Sequence, residues 1–361
     1  MATDQSATGI TPPIQRIAVF RGLFLGDLLV AVPAFRALRS GYPHAEITLI
    51  GLPWARSFAE RYHALIDRFI EFAGYPGINE VPVIPERVER FVAEQRHDAY
   101  DLVIQMHGSG GTSNPFVVAL GGRNTVGCYL GTPPPGLTGG VPYPEGDHEI
   151  FRNLALPRFL GCPDLSTQME FPLFEEDMAQ ADMLLGTAQH DHRPIIALHP
   201  GAKPPARRWP AASFAATADT LTRRHGARML LTGGPGEEKI VDAVARQMTS
   251  EVLNLAGKTS LGGLAAVIAR ADLFISNDTG PAHLACAVDT PSITIFGPAD
   301  YPRWAPLDQH RHPTVRHPVA CSPCSYWECP IDHRCLTRIA PRGVIGEAAR
   351  LLAQGGIACA G

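Results

Sequence analysis

Short apolar runs alternate with helix-period stretches twice along this chain, and no other property restricts its fold as much. Residues 14–20 read as a buried strand, followed by a glycine-containing turn and then by residues 28–39 with apolar side chains at helical spacing. Residues 46–51 and 101–106 supply further strands, each preceded by a helix-compatible segment. Strands that alternate with helices pair in parallel, because each helix returns the chain to the same sheet with a right-handed crossover. The alternation begins again at residue 194, with strand 194–199, helix 211–225, strand 227–232, helices 236–248 and 260–269, strand 272–276, helix 280–287 and strand 291–295. The spacing therefore predicts two Rossmann-like, doubly wound α/β domains facing one another across a cleft. Their expected limits are 14–175 and 194–340, with a C-terminal helix and tail over 341–361.

Three segments interrupt this pattern. Pro33 falls inside the stretch 28–39 and should kink the helix or shorten its first turn. Residues 131–146 are dense in proline and glycine and read as an irregular surface loop within the first domain. Polar residues over 175–193 read as the passage between the halves. A length of 361 residues suits two domains, each able to bury a core. The net charge of -4 gives no general attraction for nucleic acid, while leaving arginines for a local anion site. No stretch approaches the roughly 20 apolar residues of a membrane span. Residues 1–13 lack the apolar core of a secretion signal, so the expected compartment is the cytoplasm, with the eight cysteines mostly reduced.

Chemistry concentrates where strands end. Arg21 to Asp27 follow the first strand, which puts Asp27 at a carboxyl edge, where it could cap the next helix or accept a substrate proton. His199-Pro200-Gly201-Ala202 opens a loop with Lys203, Arg207 and Arg208, closed by Trp209-Pro210; guanidinium forks suit a diphosphate, and a solvated basic loop is the plain alternative. Ser276-Asn277-Asp278-Thr279-Gly280-Pro281-Ala282-His283 ends a strand and starts a helix. Its first N–H groups would make an anion site beside a carboxylate able to bind sugar hydroxyls. Thr232-Gly233-Gly234-Pro235-Gly236-Glu237 is a glycine turn in which Glu237 is placed to meet a ribose diol. Ser109, Gly110, Gly111, Thr112 and Asn114 either bind carbohydrate hydroxyls or only turn the chain. Cys321, Cys324, Cys329 and Cys335, with His333 among them, either ligate zinc or form a compact loop of thiols or a disulfide.

The order and separation of these motifs, together with Pro33-Ala34-Phe35-Arg36-Ala37-Leu38 and Ile295-Phe296-Gly297, resemble glycosyltransferase family 9, which includes the lipopolysaccharide heptosyltransferases. The likeness spans nearly the whole chain, cysteine-bearing tail included. It implies GT-B architecture and inverting transfer without an essential metal or other cofactor. The implied donor is a nucleotide sugar, with ADP-heptose the leading precedent, and the acceptor is a lipopolysaccharide-core or other envelope glycan. A lipid-linked acceptor would bring the protein to the cytoplasmic face of the inner membrane. By the same resemblance Asp27 matches the general base, Arg207 the donor-phosphate cation, Asp278 the donor-sugar contact and Glu237 the ribose contact. Thr279 and Gly280 match the diphosphate's backbone donors, and His283 joins the donor side. Where many members carry lysine this chain has Arg207, which keeps the charge and changes its geometry. Rival readings are a nucleotide-sugar epimerase or hydrolase of related fold, and a non-catalytic sugar-nucleotide-binding protein.

Overall fold

The computed structural model describes residues 9–186 and 193–356. The chain divides into two compact units, Met1–Met169 and Glu170–Gly361. In the first, strands β1 (Arg16–Phe20), β2 (Glu46–Gly51), β3 (Arg68–Glu71), β4 (Leu102–Gln105), β5 (Asn124–Tyr129) and β6 (Gly139–Pro142) form one sheet in the order 3-2-1-4-5-6. All pairs are parallel; Ile17 of β1 registers with Ile47 on one side and Leu102 on the other. In the second unit the strands are β7 (Ile195–His199), β8 (Arg228–Leu231), β9 (Val252–Asn254), β10 (Leu273–Asn277), β11 (Ser292–Phe296) and β12 (Thr314–Arg316). Their order, 12-11-10-7-8-9, is the same winding read from the other edge. This is the doubly wound order whose ligand edge is the carboxyl end of the strands.

Pro33 is accommodated by a break. The chain forms α1 (Leu25–Leu29) and then α2 (Val32–Gly41), with Pro33 in the first turn of α2, where a missing N–H costs no hydrogen bond. The other helices of the first unit are α3 (Ala55–Arg61), α4 (Pro85–His97), α5 (Ser113–Ala119) and α6 (Glu149–Phe159). Those of the second are α7 (Glu175–Leu185), α8 (Ala211–His225), α9 (Glu238–Ala245), α10 (Leu261–Ala269), α11 (Gly280–Ala287), α12 (Tyr301–Trp304), α13 (Arg334–Thr337) and α14 (Pro341–Gln354). Helix α8 stops at Gly226, whose φ of 63° is the left-handed cap that glycine adopts without a Cβ clash.

Two expectations are corrected. Residues 131–146 are not wholly irregular, since Gly139–Pro142 adds the edge strand β6 to β5. Gly140 makes this possible, because a Cβ there would lie 2.0 Å from the Gly127 carbonyl oxygen. The closing Pro142 is tolerated because an edge strand need not donate on both sides. The polar passage after residue 175 begins with helix α7. Its acidic first turn conceals the helical period, and Asp177 caps it by accepting the Phe174 N–H at 2.9 Å. Gln180 of α7 then accepts the Ser260 N–H at 3.0 Å, tying α7 to the start of α10.

The first core is aromatic, with Phe20, Phe72 and Phe116 in mutual edge or tilted contact at 4.6–5.0 Å. The second is built from Ile196, Leu198, Leu273, Ile275, Ile293 and Ile295, covered by Trp209 and Phe214 and by Val344, Ala348 and Leu351 of α14. The second unit buries His312, and the first keeps His107 largely from water. His312 accepts or donates at 2.9 Å to Ser292 Oγ, and His107 stacks on Phe20 at 4.9 Å. Burial pushes both down to about 4, with Arg21 adding to the effect at His107. Between the ordinary value of 6.5 and about 4 the unfolded chain therefore binds more protons than the folded one. This stability is full above pH 6.5 and is lost as pH falls toward 4, on the order of 2 kcal/mol per histidine by pH 5. Urea midpoints should fall accordingly between neutral pH and pH 5, and fall less in His312→Gln.

Candidate functional site

In the second unit β7 and β10 are neighbours, with Ser276 in register with His199, so the loops that follow both strands leave from the same carboxyl edge. Asn277, fully buried, joins them. Its Oδ1 accepts the Trp209 N–H at 2.9 Å, while its Nδ2 donates to the carbonyls of Pro200 at 2.8 Å and Gly201 at 3.3 Å. Trp209 is anchored further by its indole N–H on the Ile339 carbonyl at 3.0 Å. The sequence alone assigns Asn277 no role of its own. The available signal was an amide, both donor and acceptor, where a buried strand meets its loop. Asn277→Ala would leave one N–H and two carbonyls unpaired, so we expect a loss of about 1–3 kcal/mol, read as a lower thermal midpoint.

The next residue, Asp278, is 4% exposed and lies 3.3 Å from an Arg207 guanidinium nitrogen. Burial pushes its carboxyl above the ordinary value, and Arg207 pulls it back. Thr279 is the extended cap residue of α11, and Gly280 is its first residue with Pro281 following. The opening N–H groups of a helix have no partner within the helix and carry its positive dipole end. His283, one turn in, is buried with its ring 6.1 Å from that of Trp304. Glu237 stands at the start of α9, where its Oε2 accepts the Gly234 N–H at 2.8 Å and lies 3.4 Å from Nε2 of His199.

The basic loop does not act as one group. Arg207 closes the short 3-10 turn Pro205–Arg207 and reaches Asp278, whereas Arg208 folds back onto the carbonyls of Ala202 at 2.8 Å and Lys203 at 3.3 Å. The Ala206 N–H donates to the Trp327 carbonyl at 3.0 Å, so the cysteine-bearing segment braces the turn that carries Arg207. Cys321, Cys324, Cys329 and Cys335 are free thiols lining one small cavity with His333. Burial, with the neighbouring thiols, pushes Cys335 up. Among the described residues no group of three His, Cys, Asp or Glu side chains is set to hold a metal ion.

Asp27 belongs to the first unit. It sits half-buried in the first turn of α1, where its Oδ2 accepts the Phe24 N–H at 3.4 Å. Arg21, 1% exposed, holds this loop. Its Nε donates to the Asp27 carbonyl at 2.9 Å and its Nη1 to the Met106 carbonyl at 2.5 Å and Asn153 Oδ1 at 2.7 Å, with Glu149 at 3.4 Å from Nη2. A buried guanidinium thus ties the ends of β1 and β4 to α6, a function not visible from Arg21 alone. In the turn after β4, Ser113 donates to the His107 carbonyl at 2.6 Å and Asn114 to the Cys128 carbonyl at 2.8 Å. Ser113 thus ties the start of α5 to the turn, and Asn114 ties it to β5.

The family model described as glycosyltransferase family 9 (heptosyltransferase) matches residues 88–334. A curated relative, lipooligosaccharide heptosyltransferase 2 of Campylobacter jejuni, is 32% identical over 163 residues, covering 44% of this chain and 51% of the relative. The chain thus spans about half the length of that relative. The crystal structure of a glycosyl transferase family 9 protein from Veillonella parvula superposes with a TM-score of 0.79 at 24% identity, over 95% of this chain and 99% of the other. The Escherichia coli ADP-heptose lipopolysaccharide heptosyltransferase II does so with a TM-score of 0.74 at 21% identity, over 95% and 100%. At these identities the likeness carries the fold, GT-B, with its two Rossmann-like units.

Proposed function

This chain belongs to glycosyltransferase family 9, and from that membership we propose that it transfers a sugar, heptose, from a nucleotide diphosphate donor to a lipopolysaccharide-core or other envelope glycan. The donor we propose is ADP-heptose, the nucleotide sugar named for one structural neighbour. The observation that carries this reading is the Arg207–Asp278 pair at the entrance of α11. When the anomeric carbon–oxygen bond breaks, its electron pair adds one negative charge to a diphosphate that already carries two. A guanidinium and the first N–H groups of a helix, at Thr279 and Gly280, suit that charge and need no metal. Asp278 meets the donor sugar, Glu237 the ribose, and His283 backs the donor side of α11. Asp27 takes the proton of the attacking acceptor hydroxyl. Attack on the face opposite the leaving group inverts the anomeric centre. A lipid-linked acceptor would draw the protein to the cytoplasmic face of the inner membrane, and nucleic acid has no part.

The test is a panel of nucleotide sugars, ADP-heptose included, with cell-envelope acceptor extract in the presence of EDTA. We expect transfer from one donor, undiminished by EDTA, with inverted configuration in the product. Loss of transfer in EDTA, or a retained configuration, would overturn the mechanism. Nucleotide release indifferent to acceptor would favour the hydrolase, and binding without turnover the sugar-nucleotide-binding protein.

A further inference from the structure

Glu237 is held from three sides. His199 ends β7 with its side chain 3% exposed, and its ring lies between Thr232 Oγ1, 3.1 Å from Nδ1, and Glu237 Oε2, 3.4 Å from Nε2. Burial pushes the imidazole below its ordinary range and the Glu237 carboxylate acts against this; in its neutral form the ring carries one N–H. Placing that proton on Nδ1 would set a bare Nε2 lone pair against a carboxylate. The tautomer without this conflict turns Nε2–H toward Glu237 and leaves Nδ1 to accept from the Thr232 hydroxyl, whose other acceptor in reach is the Leu198 carbonyl at 3.1 Å. Oε2 then accepts the Gly234 N–H at 2.8 Å and faces the His199 ring at 3.4 Å, and the two contacts restrict the carboxylate's rotation. The third side is Gly201, where a Cβ would lie 2.3 Å from Oε1 and 2.4 Å from Oε2. The carboxylate occupies the space a side chain at 201 would need. Despite these contacts the Glu237 side chain keeps 21% of its surface exposed, at the carboxyl edge of the second sheet.

We propose that His199, oriented by Thr232, is a positioning residue that aims the Glu237 carboxylate at the vicinal hydroxyls of a ribose, with Gly201 supplying the room. The inference rests on Glu237 as the donor's nucleoside contact. It assigns to His199 a share in discriminating ribose from deoxyribose, through a carboxylate held so that its remaining acceptor positions meet two adjacent hydroxyls. A carboxylate free to rotate would accept from either hydroxyl or from water, and removal of one hydroxyl would cost less.

The probe is calorimetric binding of ADP and 2′-deoxy-ADP to the full chain. Wild type should prefer ADP by about tenfold, the value of one hydrogen bond to a charged acceptor. His199→Asn, whose amide reaches only the Nδ1 position, should bring the preference close to one. His199→Gln, whose amide nitrogen reaches the Nε2 position, should restore it. Gly201→Ala should lose the preference as well, because it displaces the same carboxylate without altering His199. A structural role alone would lower the thermal midpoint of both histidine variants and leave the ratio of the two affinities unchanged. Such an unchanged ratio in a folded His199→Asn overturns the inference, as does a collapsed ratio in His199→Gln with an intact midpoint. If His199→Asn does not fold, an unchanged ratio in Gly201→Ala overturns it. Wild type that binds neither ADP nor UDP, GDP or CDP overturns the nucleoside reading of Glu237, and the inference with it. ADP binding with a preference that ignores position 199 leaves that reading standing and removes only the inference.

Discussion

Asp27→Asn is expected to lower the transfer rate by about 10²–10⁴-fold while leaving donor affinity near that of wild type. The expected size is that of general-base catalysis, because asparagine cannot take the acceptor's proton. The amide oxygen of asparagine can accept the Phe24 N–H as Oδ2 does now, and Arg21 grips the backbone carbonyl of residue 27, which the change does not touch. Donor affinity should be spared because Arg207, Glu237 and Asp278 all belong to the second unit. Initial rates, calorimetric donor binding and a thermal midpoint on the same preparation separate the cases. A rate close to wild type rejects Asp27 as the base, and a fall in donor affinity equal to the fall in rate rejects its acceptor-side role.

The second large effect is at Arg207. Arg207→Met should lower kcat by about 10²–10³-fold, the cost of removing one donor preorganised for developing negative charge. Lysine should recover part of this, since it restores the charge without the planar fork. The variant has a second consequence that a simple loss of binding would not produce. Burial already pushes the Asp278 carboxyl up and Arg207 pulls it down, so removing the guanidinium leaves burial unopposed and Asp278 rises further. If Asp278 works ionised, the acidic limb of the pH–kcat profile should move to higher pH in Arg207→Met and return toward wild type in Arg207→Lys. A kcat within a few-fold of wild type in Arg207→Met, with an unmoved acidic limb, would reject the leaving-group role.

Which parts of the fold could be read in advance follows from burial. Strands β1, β7, β10 and β11 are buried on both faces and so appear as apolar runs. The outer strands β3, β9 and β12 are only half-buried, keep arginine and asparagine, and give no such signal. Helices α8 and α11 span the residues that periodicity and their prolines indicate, whereas the acidic start of α7 concealed it.

The same division runs through the candidate site. Residue type, order and strand-end position are local properties, so the chain's own pattern points to Asp27, Glu237, Asp278, Thr279, Gly280 and His283 and to the basic loop of Lys203, Arg207 and Arg208, from which only the family resemblance picks Arg207, together with the parallel alternation that places them at carboxyl edges. Hydrogen-bond partners are not local. Asn277 clamps loops 68 and 77 residues away, Arg21 meets Asn153 across 132 residues, and His199 bonds to Thr232 across 33. Whether adjacent arginines face one ligand or, as with Arg207 and Arg208, part company depends on which acceptors the fold brings within 3.3 Å. That choice belongs to the tertiary structure, because a guanidinium or an imidazole commits its donors only when burial removes water as the competing partner.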